Sequence, residues 1–416
     1  MKIDNVRLVQ GRILLGCFLG VASGFSSAYF YSSGLLLIAI ASDLGLTRGQ
    51  ATFALFTASM TAAVMAPFLG RAVDRLGARI IGLVSLVGLA TSFLLCSWLT
   101  HGLTSLLATS MLIALLGAGS SSVSFSRLVV DAFDQHRGFA LAVMQTGAGL
   151  GAFIIPFILS SALHASDWRG AYRLLALIVL AVAAVVAMLI GTPYTRAATE
   201  RNSPPRSSQV RGRVVWSTRP FLILAATFLL AAAAIAAAVV HFVPMMIDGG
   251  ISTARAARLA SLLGIALICG RLVTGRLLDR LVPEFVAAAL FLTTSIGLAV
   301  LAFGGATFAF GGALVVGIAI GSEVDLLCYL TARHFPREYY GTAYGGAFGF
   351  FLFGSAIGPS ALGLLHDRNG DYRAGFLLAA ALLVIAAVLA VTLRRLCPPA
   401  VLAGADATVS VGNTGR

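Results

Sequence analysis

Gly70-Arg71-Ala72-Val73-Asp74-Arg75-Leu76 recurs 205 residues later as Gly275-Arg276-Leu277-Leu278-Asp279-Arg280-Leu281. Each copy closes one long apolar run and leads into the next. Two further pairs keep nearly the same offset: Gly151 and Pro156 match Gly354 and Pro359 at 203. Asp167-Trp168-Arg169 with Tyr172 matches Asp371-Tyr372-Arg373 with Phe376 at 204. Three ordered pairs at one spacing indicate an internal duplication, a plan found in membrane proteins built from parallel six-helix repeats. The apolar runs agree. Six of them (13–41, 49–69, 80–99, 103–126, 139–163 and 171–192) precede a polar break, and six (220–247, 259–278, 285–303, 306–332, 339–365 and 374–393) follow it. Each approaches or exceeds the roughly 20 residues that carry a helix across about 30 Å of hydrocarbon. Lipid offers the backbone no hydrogen-bond partner, so helices are expected. A barrel would show short alternating segments instead.

Composition points the same way. Hydrophobic residues make up 59% of the 416 and charged residues 11%, where soluble domains carry about 25% charged. The mean hydropathy is +0.95. A net charge of +13 could suggest nucleic acid, but its distribution does not. With the amino terminus inside, 21 of the 29 basic residues fall on the cytoplasmic side, seven fall outside, and Arg271 lies within a helix. That asymmetry is the positive-inside pattern for an even number of spans with both termini cytoplasmic. The first apolar run is about twice a signal-peptide core, so it reads as an uncleaved first span. The five cysteines show no CxxC or Cys/His spacing and read as small buried hydrophobes.

The one long internal polar stretch, 193–219, holds six arginines and Pro204-Pro205. It reads as a cytoplasmic linker, with contact to anionic headgroups as an alternative. The expected organisation is therefore a six-helix bundle over 1–192, the linker 193–219, a second bundle over 220–395, and a disordered cytoplasmic tail over 396–416.

Gly70-Arg71-Ala72-Val73-Asp74-Arg75-Leu76-Gly77-Ala78-Arg79 resembles the loop motif of the major facilitator superfamily, G-x-x-x-D-R-x-G-R-R, with Ala78 in place of a basic residue. The second copy keeps the front half. The resemblance implies an all-α membrane fold of twelve transmembrane helices in two pseudo-symmetric bundles. Further stretches are similar to the oxalate:formate antiporter and monocarboxylate porter branch. These are Asp43-Leu44-Gly45-Leu46-Thr47-Arg48, Arg137-Gly138 with Gly147 and Pro156, Trp168-Arg169, Gly321-Ser322-Glu323-Val324-Asp325-Leu326 into Tyr329-Leu330-Thr331-Ala332-Arg333, and Gly358-Pro359 with Gly363, Asp367 and Tyr372. In that branch an arginine of the eighth span is associated with the carboxylate substrate, and Arg271 matches its position. The chain departs from the branch twice. Lys2 is its only lysine, and Leu267 stands where proton-coupled relatives have an acidic residue one turn before the arginine.

The charges reach the same place independently. On these span limits only Arg271, Glu323 and Asp325 lie deep in the membrane. Burying each costs at least ~2.5–3.5 kcal/mol, so each is expected to face a cavity or a partner. Arg271 lies nine residues before Arg280 and Glu323 ten before Arg333, or roughly 13 and 15 Å from the cytoplasmic end. Glu323 and Asp325 are about 200° apart around a helix, so at most one points straight at Arg271. Either the charges form a pair that only joins two helices, or Arg271 is a fork gripping a substrate carboxylate through two parallel hydrogen bonds. In the second case an acidic partner balances Arg271 when the site is empty, or carries a proton.

Other candidates are weaker. Tyr29, Tyr31, Gln145, His241 and Tyr329 are substrate-lining candidates, each with a packing or interhelix alternative. Gly70, Arg71, Asp74, Arg75, Gly77 and Arg79, with Gly275, Arg276, Asp279 and Arg280, read as gate and helix-end contacts where helices meet the cytoplasm, or as topology charges. Gly341, Gly345, Gly349, Gly354 and Gly358 put small residues along the eleventh span, allowing close approach and suiting a span that slides or rocks.

The expected function is secondary transport of a small organic anion, a mono- or dicarboxylate, across the inner membrane by alternating access. Proton symport and anion exchange both remain open. The alternative is efflux of drugs or other hydrophobic compounds on the same fold. No G-x-x-x-x-G-K-[ST] loop, HExxH or GxSxG occurs, so neither ATP drive nor an enzyme is indicated. No cofactor, metal or nucleic-acid partner is expected. The expected partners are the organic anion, protons as a candidate co-substrate, and the bilayer, with the chain acting as a monomer.

Overall fold

The computed structural model describes residues 2–30, 32–165, 167–191 and 215–396. Tyr31, residues 192–214 of the linker region and residues 397–416 of the tail lie outside that set. Among the described residues the fold is entirely helical. The contacts divide the chain into two compact units, Met1–Pro204 and Pro205–Arg416.

The first unit contains α1 (Lys2–Ser23), a π-helical turn (Ser26–Phe30), α2 (Ser33–Leu44), α3 (Arg48–Leu76), α4 (Ala78–Leu99) and α5 (Leu103–Gly117). A 3-10 turn (Ala118–Ser120), α6 (Ser122–Ala132), α7 (Arg137–Ala165) and α8 (Trp168–Ile190) complete it. The second unit opens with a 3-10 turn (Val215–Ser217), then α9 (Arg219–Asp248), α10 (Thr253–Arg280) and α11 (Pro283–Gly304). It continues with α12 (Ala309–His334), α13 (Tyr340–Asn369) and α14 (Arg373–Leu396). Among the described residues, eleven helices are long and apolar enough to cross a membrane. The twelfth expected span, α10, is 28 residues long, about 42 Å of helix. Its low mean apolarity comes from six charged residues, Arg271 among them.

Two expected spans are interrupted. The first breaks at Gly24 into a π-helical turn, and the fourth breaks between α5 and α6 at Gly117-Ala118-Gly119-Ser120-Ser121, where glycine and serine favour helix weakly. The breaks meet: the Phe25 N–H donates to Ser120 Oγ at 3.0 Å, and Gly24 lies on the Ser120 carbonyl, leaving no room for a Cβ. A backbone donor freed by one break is thus satisfied at the other, as membrane depth requires.

The duplication has a geometric counterpart in each unit. Gly151 of α7 rests on the Ala22 carbonyl of α1, and Gly354 of α13 rests on the Leu229 carbonyl of α9. Close backbone approach through small residues is how helices associate where lipid removes the hydrophobic drive. Gly354 and Gly358 thus hold α13 tightly against α9. At the other end, Asp43 accepts from Trp168 Nε1 (2.9 Å) and Arg169 Nη1 (2.8 Å). These hydrogen bonds hold the Asp43 carboxyl below its ordinary range. In the second unit Asp248, 205 residues on, lies against Tyr372 and 3.7 Å from His366 Nε2. The capping role also repeats: Asp167 accepts from Gly170 N, and Asp371 from Arg373 N.

Two expectations change. The linker ends earlier than 219, because Val215–Ser217 folds onto the second unit, with Val215 buried and Trp216 Nε1 donating to the Thr342 carbonyl at 3.1 Å. The inventory of buried charges also grows. The fourth span runs on to Ala132, so Arg127, one of the 21 basic residues assigned to the cytoplasmic side, is buried inside it. Its Nε bonds Asp131 at 2.9 Å, and Nη1 lies 3.8 Å from Asp74 Oδ1. In the second unit Glu284 is fully buried. One of its oxygens takes Arg333 Nε at 3.0 Å and His334 Nε2 at 2.8 Å.

Candidate functional site

The site is positioned by the contact between α10 and α12. Gly270 lies on Ile318, Gly317 on Leu263 and Ala266, and Gly321 on the Leu267 carbonyl. With Cβ atoms absent at these crossings the two backbones approach closely. Thr274 and Ser322 then hydrogen-bond across the seam at 2.8 Å. Arg271 and Asp325 lie on either side of that seam.

Their geometry is incomplete. Arg271 Nε stands 3.9 Å from Asp325 Oδ2, within Coulombic range but too far for a hydrogen bond. Arg271 is 6% exposed, Glu323 6% and Asp325 0%. Arg271 Nε and Nη1, both Asp325 oxygens and Glu323 Oε2 are buried with no hydrogen-bond partner. Asp325 is thus the carboxylate nearest the guanidinium, and Glu323 also lies within its electrostatic reach. A finished buried ion pair satisfies its remaining donors and lone pairs, because the desolvation cost is otherwise uncompensated. Here both partners are desolvated and neither is satisfied.

Tyr344 of α13 adds a buried polar group that the sequence reading missed. Its hydroxyl is fully buried, with the Cys328 thiol as its neighbour, and lies within Coulombic reach of Asp325. It belongs to a stack of near-parallel rings, Tyr340–Tyr344–Phe348–Phe351, with centroids 5.5 to 5.6 Å apart. The sequence signal was present in the four-residue spacing of Tyr340, Tyr344 and Phe348, which places them on one helix face.

The remaining candidates are placed as follows. Tyr29 is buried in the π-helical turn of the first unit, stacked on Phe25 at 5.7 Å. Gln145 of α7 is buried in the same unit, its Oε1 accepting from Ser122 Oγ at 2.8 Å, an interhelix bond. His241 is 2.9 Å from the Pro359 carbonyl, with its ring 5.7 Å from Tyr372. That is a packing contact between α9 and α13, apart from the Arg271 pair. Tyr329, one turn beyond Asp325, is half-buried and has a partner. Tyr31 lies outside the described residues.

Gly70, Arg71, Asp74 and Arg75 occupy the last turns of α3. Gly77 forms the joint to α4 at φ 92°, a conformation that favours glycine. Arg79 reaches Gly191 at the end of α8. Gly275, Arg276, Asp279 and Arg280 close α10, with Arg276 and Asp279 engaged and Arg280 exposed.

With this geometry in place, the comparisons with known proteins are decisive for the family. Residues 17–345 and 286–409 match the profile described as Major Facilitator Superfamily. The chain belongs to the Major Facilitator Superfamily. It is therefore a multi-pass membrane transporter and not an enzyme. A relative named monocarboxylate transporter 12-B, from Danio rerio, is 26% identical over 74% of this chain and 72% of its own length. A gallate transporter of Pseudomonas putida is 24% identical over 87% of this chain and 88% of its own length. Among solved structures, the E. coli fucose:proton symporter superposes with a TM-score of 0.68 at 15% identity, covering 94% of this chain and 98% of that one. At that identity the likeness shows the fold alone.

Proposed function

We propose that this superfamily member is a secondary transporter of a small organic anion, a mono- or dicarboxylate, with Arg271 as the group that grips the carboxylate. The observation that carries the reading is the unfinished pair: a desolvated guanidinium with two unfilled nitrogens, 3.9 Å from a carboxylate that does not hydrogen-bond it. A guanidinium suits two parallel hydrogen bonds to a carboxylate. A purely structural pair gains by closing to hydrogen-bond distance, whereas a site that exchanges partners gains by leaving those bonds open. Asp325 balances Arg271 while the substrate is absent. The names of the relatives, monocarboxylate and gallate transporters, fit a carboxylate cargo.

Two bundles, joined by a cytoplasmic segment that ends before Val215, operate by alternating access in the inner membrane, with both termini cytoplasmic. The division of basic residues, 20 to 7 once the buried Arg127 is set aside, supports this orientation. The two Gly-Arg-x-x-Asp-Arg segments serve as gate contacts at that face. Proton symport and anion exchange are both compatible with the site.

The test is a thermal-shift screen of the purified protein against mono- and dicarboxylates across pH, followed by uptake in proteoliposomes. Arg271→Gln is expected to insert and fold but to lose carboxylate uptake at least a hundredfold. Unchanged uptake removes the role. Stabilisation by hydrophobic cations or neutral drugs alone replaces this reading with the efflux alternative.

A further inference from the structure

The repeat sets Arg169 at the start of α8 against Arg373 at the start of α14, 204 residues on, and the two guanidiniums are used differently. Arg169 is occupied: Nη1 donates to Asp43 at 2.8 Å and Nη2 to the Thr100 carbonyl, at the end of α4, at 3.3 Å. Arg373 has neither partner. Asp248, the counterpart of Asp43, lies against Tyr372 and His366 instead, and Gly304 stands 204 residues after Thr100. Among the described residues no carboxylate lies within ion-pair distance of the Arg373 guanidinium, which is held over the Phe303 ring at 4.6 Å from its centroid. Asp371, two residues earlier, accepts from the Arg373 backbone N–H.

The Phe303 ring is also the rim of an apolar groove. After Gly304 the chain passes Gly305, at φ 54°, into the 3-10 turn Gly305–Phe308. The Phe308 ring folds onto Gly304, where a Cβ has no room. Between this turn and α11 lies a groove of about 470 Å³, lined by Ile296, Ala299, Val300, Phe303, Gly304 and Phe308. Ile296 and Phe303 are both exposed and seven residues apart, so the groove extends roughly 10 Å along the helix. It runs inward from the end of α11 that lies opposite the Gly-Arg-x-x-Asp-Arg segments. We propose that this groove binds an anionic phospholipid, its phosphate gripped by Arg373 and one acyl chain laid along Val300 and Ile296. The guanidinium fork matches phosphate through two parallel hydrogen bonds, and stacking on Phe303 holds the fork at the mouth of the groove. A zwitterionic lipid brings its own cation and leaves the charge of Arg373 uncompensated. In the first unit Asp43 already neutralises the corresponding arginine, so the site is expected in the second unit only.

The test is native mass spectrometry of the full-length protein, delipidated in detergent and titrated with phosphatidylglycerol or phosphatidylcholine of identical acyl chains. Phosphatidylglycerol is expected to bind roughly tenfold more tightly, the scale of one charge-assisted contact. Arg373→Gln is expected to erase most of that preference, and Arg373→Lys, which keeps the charge but not the fork, to retain part of it. Arg169→Gln is the control: Asp43 already holds that guanidinium, so the preference should be unchanged. Ala299→Trp, which fills the groove and keeps Arg373, should weaken phosphatidylglycerol binding roughly tenfold as well. Equal binding of the two lipids by the unaltered protein, a preference that survives Arg373→Gln, or undiminished binding by Ala299→Trp overturns the proposal. So does a dimer in the lipid-free spectrum that Ala299→Trp dissociates, because a second copy of the chain then covers the groove.

Discussion

At the scale of single residues, the pair between α10 and α12 is held in an expensive state. Two opposite charges are withdrawn from water, yet at 3.9 Å neither repays the other with a hydrogen bond. Removing one partner leaves the other buried and uncompensated, which typically costs about 3–5 kcal/mol, whereas removing both together is often neutral. Asp325→Leu is therefore expected to lower the melting temperature of the detergent-solubilised protein by several degrees. The double variant Arg271→Leu/Asp325→Leu should recover most of that loss, although it carries no substrate. Equal destabilisation by the single and double variants would show that the two charges do not depend on each other. The sequence made Arg271, Glu323 and Asp325 visible, since charges stand out in apolar runs. It could not choose between the two carboxylates, and it gave no reason to single out Tyr344, because the partnering of a hydroxyl depends on neighbours remote in the chain. Arg127 was missed for a simpler reason: it sits where a hydropathy window ends but the helix does not.

At the scale of elements, glycine decides where helices can meet. Gly317 and Gly321 on α12, four residues apart, let it lie on Leu263 and Leu267 of α10, and this contact brings Arg271 to Asp325. Gly321→Leu forces a side chain into the α10 backbone. Overpacking of this kind costs typically about 1–3 kcal/mol. The expected result is a lower melting temperature together with loss of uptake, even though no charged group has changed. Gly264→Ala on the same helix α10 is the control: no atom lies within 4 Å of its Cβ position, so it should leave both measurements nearly as they were. The four-residue spacing of small residues was legible on the eleventh span, but its meaning was not. Gly354 and Gly358 bear on backbone of α9, the close helix approach that the spacing allows.

At the scale of the whole molecule, each unit carries its own tie at the end opposite the Gly-Arg-x-x-Asp-Arg segments. In the first, Asp43 is held by Trp168 and Arg169, and those hydrogen bonds depress its carboxyl from its usual value of 3.8. A group whose value is lower in the folded state stabilises above its unfolded value and stops doing so as pH falls through the folded one. The tie thus contributes fully from neutral pH down to about pH 4 and is lost progressively as pH falls further, through the lowered value. Melting curves of the protein and of Asp43→Asn should differ by a small constant amount above pH 5 and draw together as pH falls below the ordinary carboxylate value; curves that stay apart would mean that ionisation of Asp43 is not what holds the tie. Topology is tested separately. A cysteine introduced at Ser208 in a cysteine-free background should react with an impermeant maleimide only in inside-out vesicles, and labelling from outside would invert the orientation.

The sequence by itself determined that the chain is a helical membrane protein made of two related halves. Length, apolarity and a repeat near 205 residues are properties of the chain that need no partner to be read, and the bilayer converts them directly into spans. What only the tertiary structure decided is which buried polar groups find one another: Asp325 for Arg271, Asp74 and Asp131 for Arg127, Glu284 for Arg333 and His334. Those pairings depend on how closely particular helices approach, and that distance is set by residues up to 54 positions apart in the chain, as with Arg271 and Asp325.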